Sequence, residues 1–570
     1  MQIIERHLEK KLAEAVRETC PSVPVGNLFV VRTGEERFGD YQTNFAMVAA
    51  KAAKKDPCQC AAAIAVKLEE DPSFSKVETA GPGFINMTLA DEMIASEVAK
   101  IGSEPYDFSF LDRHGTLIVD FSSPNIAKPM HIGHLRSTVL GDSLIRIYRF
   151  LGYTVVGDNH LGDWGTQFGK LIVAYRKWLD RESYERSAIE ELERLYVLFE
   201  QAAESDPSLE EEARTELKKL QEGDPENRKL WQEFVRLSMA EYDRIYARLN
   251  IRFDTAYGES FYHDRMPAIV RLLVEKGIAK ESDGALCVFF DEKEKLHPCI
   301  VRKQDGAFLY ATSDLACLQF RRETYDINRI IYVTDERQRP HFKQIFRIAE
   351  MMGWQERLEH VWFGIMRFGD EAFSSRKGNV IRLDELLNEA VRRARLIIEE
   401  KNPALPEEEK GMAAEMIGIG AVKYADLSQN RISAVSFEWD KALSFDGNTA
   451  PYLQYTYARI RSIARKAQET GRVFAPDAPV AVESPVERRL AVHLLGFPSA
   501  VLKAAEGYKP NLVADYLFET GQRFNTFYNA LPVLKERDEV MERRLSLCLK
   551  TAEVIKTGLG LLGIEVPERM

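Results

Sequence analysis

Apolar and polar positions alternate with two different periods between residues 117 and 156. Residues 117–121 (LIVDF) are a short, mostly apolar, β-branched run bounded by Ser122, Ser123 and Pro124, the pattern of a buried strand that ends in a turn. From His134 the period lengthens: Leu135, Val139, Leu144, Ile147 and Leu151 trace the stripe of a helix, and Gly152 stands at its C-terminal cap position. Residues 153–156 are a second strand. Strand, loop, helix and strand in this order form a crossover, and such units are right-handed and parallel in nearly all proteins. Ligands of open parallel sheets lie beyond the carboxyl ends of the strands, so loops 122–134 and 157–169 are expected to face one another across a site.

The rest of the chain divides around this unit. Residues 1–110 read as a small α+β domain: an opening helix, a strand at 28–31, the segment GDYQTNFAM (39–47), alanine-rich helices, and two strands punctuated by Gly81-Pro82-Gly83. Residues 111–440 carry the parallel-sheet pattern, interrupted at 172–250 by a charged helical stretch whose acidic runs, such as Glu210 to Glu212, read as solvated. Strand-like runs resume at 285–290 and 299–302. Residues 308–316 then open a helix that places Tyr310 and Asp314, four apart, on one face. The strand at 329–333 ends in TDERQRPH (334–341) and leads into another helix, the second half of the site. From Pro406 the chain is helical almost to its end, and 441–570 is expected to be an all-α domain.

A chain of 570 residues exceeds one hydrophobic core, so three or four domains are expected. With 45% hydrophobic and 29% charged residues it has the composition of a soluble globular protein. No apolar run approaches the roughly 18 to 20 residues of a membrane span, and the N-terminal MQIIERHLEKKL lacks a signal-peptide core, which points to the cytoplasm. Seven scattered cysteines make no disulfide framework, and the Cys58-x-Cys60 spacing does not suit zinc. The net charge of −11 neither requires nor excludes a polyanionic partner, because a local basic face can coexist with acidic helices elsewhere.

Two residue sets carry chemistry. His131-Ile132-Gly133-His134 opens a helix, where free N–H groups and the positive dipole end attract phosphate oxygens, and Gly133 lets a flat base approach the backbone. A histidine helix cap and an HxxH metal pair are the alternatives. Asp314 beside Tyr310 makes an apt cradle for a guanidinium, which pairs with a carboxylate through two parallel charge-assisted hydrogen bonds; an acid answering the helix dipole is the alternative.

The stretch SSPNIAKPMHIGHLRST, with DNHLGDWGTQFGK behind it, resembles the active-site sequence of arginyl-tRNA synthetases, a class I aminoacyl-tRNA synthetase family. GDYQTNFAM and AGPGFIN resemble the N-terminal domain by which that family touches the tRNA elbow, and residues 421–428 and 444–463 resemble the start of its helical anticodon-binding domain. The resemblance implies an α/β fold with a Rossmann-like parallel-sheet catalytic domain, an N-terminal α+β domain and a C-terminal all-α domain. It implies ATP-dependent ligation of arginine to tRNA through arginyl-adenylate, with magnesium accompanying ATP, no structural metal, and a monomer that needs tRNA bound before activation.

Carried over residue by residue, it assigns His131, His134 and Lys128 to the phosphates together with Arg376 and Lys377, and Pro124, Met130, Gly133, Ser374 and Ser375 to ATP. Ser123, Asn125, His160, Tyr310, Asp314 and Gln338 fall to arginine, and His341 to the adenosine pocket. Tyr41, Gln42, Asn44, Tyr455, Arg459, Tyr528 and Met570 fall to tRNA, Tyr41 having a core position as its alternative. One departure stands out. Many class I synthetases carry a KMSKS loop, but here Ala372 and Ser375 stand where its lysines would be, and Lys128 offers a cation from the opposite side. Rival readings are another class I synthetase or nucleotidyltransferase, a silent tRNA-binding module, and a metal hydrolase built on His131 and His134.

Overall fold

The computed structural model describes residues 1–26, 28–368, 371–372, 381–469 and 479–570. Helix α1 (Ile4–Thr19) buries Ile4, Leu8, Leu12 and Val16, one face at helical spacing. The sheet of this unit comprises β1 (Val31–Arg32), β2 (Tyr41–Thr43), β3 (Phe74–Ala80) and β4 (Phe84–Leu89), ordered β1-β2-β4-β3 and antiparallel throughout. Helices α2 (Phe45–Ala53) and α3 (Pro57–Glu69) sit between the strand pairs, and α4 (Asp91–Ala99) follows them. The Asp56 side chain caps α3 by accepting from Gln59 N–H, with Pro57 at the first helical position.

The central sheet holds the expected crossover. Strand β5 (Thr116–Asp120), helix α5 (Ile132–Phe150) and strand β6 (Thr154–Asp158) follow in order, the second strand running two residues past its expected end. After α6 (Thr166–Trp178), α7 (Arg181–Arg186), α8 (Ala188–Ser205), α9 (Ser208–Glu222) and α10 (Pro225–Arg248), the chain makes α11 (Met266–Glu275) and a small antiparallel sheet of β7 (Ala279–Ser282), β8 (Ala285–Val288) and β9 (Cys299–Arg302). Helix α12 (Tyr310–Thr324), strand β10 (Ile327–Tyr332), α13 (Arg339–Met351) and β11 (Arg357–His360) complete the α/β unit. The main sheet is parallel in the order β11-β10-β5-β6. From β5 the crossover runs outward to β6 and from β10 to β11, so the switch point lies between β5 and β10, where a ligand crevice forms. Leu117, Ile118 and Val119 are fully buried, as a strand covered on both faces requires.

Helices α6 to α10 contain the expected insertion, yet its acids are not simply solvated: Lys170 pairs with Glu200 and Glu210, and Lys177 with Glu212. The chain continues through β12 (Met366–Phe368), β13 (Glu371–Ala372), α14 (Leu383–Lys401), α15 (Glu407–Leu427), β14 (Val435–Phe437) and α16 (Trp439–Ala442). The C-terminal helices are α17 (Ala450–Glu469), α18 (Pro485–Leu495), α19 (Phe497–Gly507), α20 (Asn511–Ala530) and α21 (Asp538–Leu561). They dock on α5 through polar contacts: Ser143 Oγ donates to the Leu561 carbonyl (3.0 Å) and Tyr148 to that of Ala505 (2.9 Å). Buried Lys423 bonds the carbonyls of Leu249 and Gly563, each at 2.7 Å. All seven cysteines are free, and among the described residues no helix is long and apolar enough to cross a membrane.

Candidate active site

The two loops expected to face each other are hydrogen-bonded together. Ile126 N–H donates to Gly162 O and Gly162 N–H to Pro124 O, both at 3.1 Å, while Asn159 Oδ1 accepts from Ser123 N–H at 3.1 Å. A Cβ at Gly162 would lie 2.2 Å from Asn125 Oδ1, so a side chain there would push the Asn125 amide aside. Ser122, Ser123 and Ala127 all have left-handed φ, at 71°, 50° and 62°, a conformation that costs about 1–3 kcal/mol for each non-glycine residue. Helix α10 holds the loop in place. Tyr246 Oη lies 2.8 Å from Ser122 Oγ, the Tyr242 hydroxyl donates to the carbonyls of Asn125 and Lys128 at 2.7 Å, and Ser238 Oγ accepts from Ala127 N–H. None of these tyrosines was identified from sequence, because α10 reads there as part of a solvated insertion.

His131 caps α5 and forms a reciprocal box with His134. Gly133 N–H donates to His131 Nδ1 (3.0 Å) and His131 N–H to His134 Nδ1 (3.1 Å), and the rings lie 3.9 Å apart. Burial, with the charge of Lys128 and of Arg337 or the neighbouring ring, drives their pKa values down to about 4 for His131 and about 3 for His134. Both imidazoles are therefore neutral near pH 7. Because each Nδ1 accepts a backbone N–H, the one proton must sit on Nε2. The pair thus presents two N–H donors, a set that suits phosphate oxygens. Metal ligation through Nε2 would need the proton on Nδ1, facing an N–H donor, which disfavours the HxxH metal reading.

Lys128 Nζ rests 4.4 Å above the Tyr196 ring, and burial lowers its pKa. Gly133 is exposed beside the histidines. Met130 corrects the expectation of an ATP contact: its side chain is in the core and its carbonyl accepts from Leu383 N–H at 2.9 Å. Pro124 is also buried, with its carbonyl on Gly162. Ser374, Ser375, Arg376 and Lys377 lie outside the described residues, but the backbone just after them pairs with the histidine motif, where Ile132 N–H donates to Ile381 O at 3.2 Å.

The other half of the rim is acidic. Asp314 Oδ2 lies 2.5 Å from His341 Nε2 and its Oδ1 4.0 Å from His160 Nε2, so His341, assigned to the adenosine side from sequence, joins the acidic side. Burial disfavours charge on both histidines, but Asp314 raises His341, and Cys317, Asp120 and Asp314 together raise His160. Both ring nitrogens of His160 lack a hydrogen-bond partner among the described residues. Sequence reasoning missed Glu259. It sits in a 3₁₀ turn, Glu259–Arg265, with no side-chain partner among the described residues, and burial, with Asp314 and Asp163 adding, pushes its pKa up to about 8 against the opposing pull of His160. Tyr310 is 68% exposed, and Glu259 raises its pKa after burial. Asn125 and Gln338 are exposed, and Ser123 Oγ donates to Asp120 Oδ1 at 3.3 Å.

The grouping of Asp120, Asp158 and His160 has ligand spacing for a cation, but Arg321 Nη2 lies 2.6 Å from each of the two carboxylates. This buried guanidinium anchors α12, and with it Asp314, onto the carboxyl ends of β5 and β6.

The positions assigned to tRNA fall in two places. Arg459 stacks on Tyr455 (4.7 Å) and Tyr528 (5.7 Å), forming one cation–aromatic patch. Arg461 instead pairs with Glu568. Met570 packs on α14 and α15, its carbonyl accepting from Asn402 at 3.1 Å. In the N-terminal unit Tyr41 is wholly buried and cannot stack on a base, because alternate residues of β2 face the core; Gln42 and Asn44 are half-buried. The neighbouring Asp40 clamps Arg488 of α18 through two bonds of 2.8 and 2.9 Å.

Comparison with known proteins identifies each part of the chain. Residues 106–439 match the model for the class I (R) tRNA synthetase catalytic domain, 4–89 the arginyl tRNA synthetase N-terminal domain, and 453–570 the DALR anticodon binding domain. An arginine–tRNA ligase of Fusobacterium nucleatum is 54% identical over the full length of both chains. The arginyl-tRNA synthetases of Plasmodium falciparum and Thermus thermophilus superpose with TM-scores of 0.83, at 27% and 28% identity, covering 100% and 99% of this chain and 100% of theirs. With a full-length relative at this identity and a matching catalytic model over more than half its length, the chain belongs to the arginyl-tRNA synthetases, class I ligases that join arginine to tRNA with ATP.

Proposed function

We propose that the two halves of the rim divide the substrates between them. His131 and His134 donate Nε2–H groups to the triphosphate, with Lys128, Arg376 and Lys377 supplying charge, and Gly133 admits the adenine face. Asp314, Glu259 and Tyr310 take the guanidinium, with Ser123, Asn125, His160 and Gln338 along the rest of arginine. The arginine carboxylate, already ionised, attacks the α-phosphate in line, forming arginyl-adenylate and expelling pyrophosphate. The terminal ribose hydroxyl of tRNA then attacks the adenylate carbonyl and AMP leaves. The first step asks no proton transfer of the protein, so positioning and stabilisation of phosphate charge carry it. Magnesium arrives as part of the MgATP substrate. On this reading the acids at the ends of β5 and β6 serve as the anchor of Arg321 rather than as ligands of that ion.

The observations that support this reading are an acidic group, Glu259 without a side-chain partner among the described residues beside Asp314 on the helix anchored at the ends of β5 and β6, and a pair of neutral histidine donors after the loop that leaves β5. Exchange of pyrophosphate into ATP, with each amino acid and with or without tRNA, tests it. Arginine alone should support exchange; support by another amino acid overturns the assignment. On this reading tRNA is contacted by Gln42 and Asn44 and by the Tyr455–Arg459–Tyr528 patch, and the domains divide near residues 110 and 440. We further infer that the enzyme works as a cytoplasmic monomer.

A further inference from the structure

Arg136 follows His134 by two residues and is 2% exposed, one of the largest fully buried side chains of the protein. Its Nη1 donates to the carbonyls of Gly364 (2.7 Å) and Ser433 (3.1 Å) and its Nη2 to that of Arg431 (3.3 Å). Nε lies 2.7 Å from buried Asp426, as an ion pair rather than a directed hydrogen bond. A buried ion pair is weak grounds for stability, since apolar residues of like volume often serve as well. What the planar five-donor fork adds is geometry, fixing several acceptors relative to one another. Gly364 stands two residues before the start of β12, the strand that leads into segment 369–380, and segment 431–433 leads into β14, the parallel partner of β12. The exit of the same segment is hydrogen-bonded to the histidine motif through Ile381 and Leu383. Both feet of the activating segment are therefore tied to α5 and its leader, the entry by the Arg136 guanidinium and the exit by the backbone of Met130 and Ile132.

We propose that Arg136 is a positioning residue for adenylate formation: it sets the separation between the phosphate-binding histidines and the feet of the activating segment. This rests on the proposed action of Arg376 and Lys377 on the phosphates. The test is arginine-dependent pyrophosphate exchange, per titrated active site and in the presence of tRNA, for Arg136→Gln, Arg136→Ala, Lys377→Ala and the Arg136→Gln/Lys377→Ala pair. A displaced reacting group slows chemistry without loosening a remote substrate, so Arg136→Gln should lower kcat about tenfold to a hundredfold while KM for arginine stays within about twofold. Guanidinium at millimolar concentration should restore part of the rate of Arg136→Ala, which a misfolded variant would not show. In the double variant the losses should fall short of their product, because both act on one arrangement. An unchanged kcat for Arg136→Gln beside an impaired Lys377→Ala, or losses that simply multiply, would overturn the proposal. An unimpaired Lys377→Ala would instead remove the reading on which it rests.

Discussion

Glu259 gives the sharpest quantitative handle on the proposed arginine half of the site. With its pKa held near 8, about nine-tenths of the Glu259 carboxyls carry a proton at pH 7 in the arginine-free enzyme. A guanidinium stays charged at any working pH, and an opposite charge within 4–6 Å lowers a carboxyl pKa by about 1–3 units. Arginine binding at pH 7 should therefore expel about 0.4 to 0.9 proton from Glu259, and affinity should rise with pH up to about 8, by about tenfold to a thousandfold in all, then level off. His160 and His341 are both raised with Asp314 among the causes, and a guanidinium on Asp314 should make them shed protons in the same direction. The diagnostic quantity is thus the difference between wild type and Glu259→Gln. Titration calorimetry in two buffers of different ionisation enthalpy should show release falling by about 0.4 to 0.9 proton in the variant at pH 7. Loss of a charge-assisted bond, about 1.5–3 kcal/mol, should weaken binding about tenfold to 150-fold at pH 9. At pH 7 the deficit shrinks by the roughly 1.4 kcal/mol that wild type spends on deprotonation. Equal proton release by both proteins, or wild-type affinity that falls between pH 6 and 8, would refute the assignment.

The same raised carboxyl makes a stability prediction. Its folded pKa lies above the ordinary glutamate value of 4.5, so its contribution is fully present below about pH 4.5 and is lost as pH rises through 8; Glu259→Gln should melt at a higher temperature than wild type at pH 8 without arginine. His134→Ala should slow pyrophosphate exchange a few hundredfold, about 3–4 kcal/mol, and because both histidines titrate near 3 to 4 the wild-type rate should show no inflection from them between pH 5.5 and 8. Tyr242→Phe releases the carbonyls of Asn125 and Lys128 from α10 and should cost about 1–3 kcal/mol of stability with a higher KM for arginine, measured by denaturant unfolding and by exchange. Arg321→Met leaves two buried carboxylates unpaired and should destabilise by about 3–5 kcal/mol, most of it regained in the variant that adds Asp120→Asn and Asp158→Asn.

Features with a period or a local signature were legible from sequence. Strand β5, helix α5 and strand β6 follow from the change of hydrophobic period at His134, and the two substrate loops meet because a right-handed crossover leaves them no other place. Tyr310 and Asp314 share a face by helical spacing alone. Glu259 has no such signature: it lies in a 3₁₀ turn 55 residues before Asp314, and only the folding of α12 over β5 and β6 brings the two acids together. Tyr242 and Tyr246 were hidden differently. Their helix carries enough charge to read as a solvated insertion, while its tyrosine side packs under the strained substrate loop. For Tyr41 the obstacle is length, since a three-residue strand cannot declare by alternation which face is buried. The GDYQ segment works partly as a clamp, since Asp40 grips Arg488 from 448 residues away.

The charge states of the two halves also bear on how one crevice accepts substrates of opposite sign. A fully ionised acidic half would repel ATP: at 10 Å and an effective dielectric of 20, each carboxylate opposes each phosphate charge by about 1.7 kcal/mol. With Glu259 holding its proton near neutral pH, the arginine-free rim carries one negative charge fewer than its carboxylates suggest. When arginine enters, Glu259 ionises as the guanidinium arrives, so at this carboxyl a proton is exchanged for a cation and the exchange by itself leaves the field at the phosphates nearly unchanged. The histidine half needs no compensating switch, because its two Nε2–H donors are neutral throughout. On the proposed assignment, arginine and ATP should then bind with little mutual electrostatic penalty in either order below pH 8. Above pH 8, where Glu259 ionises before arginine arrives, prior binding of arginine should help ATP.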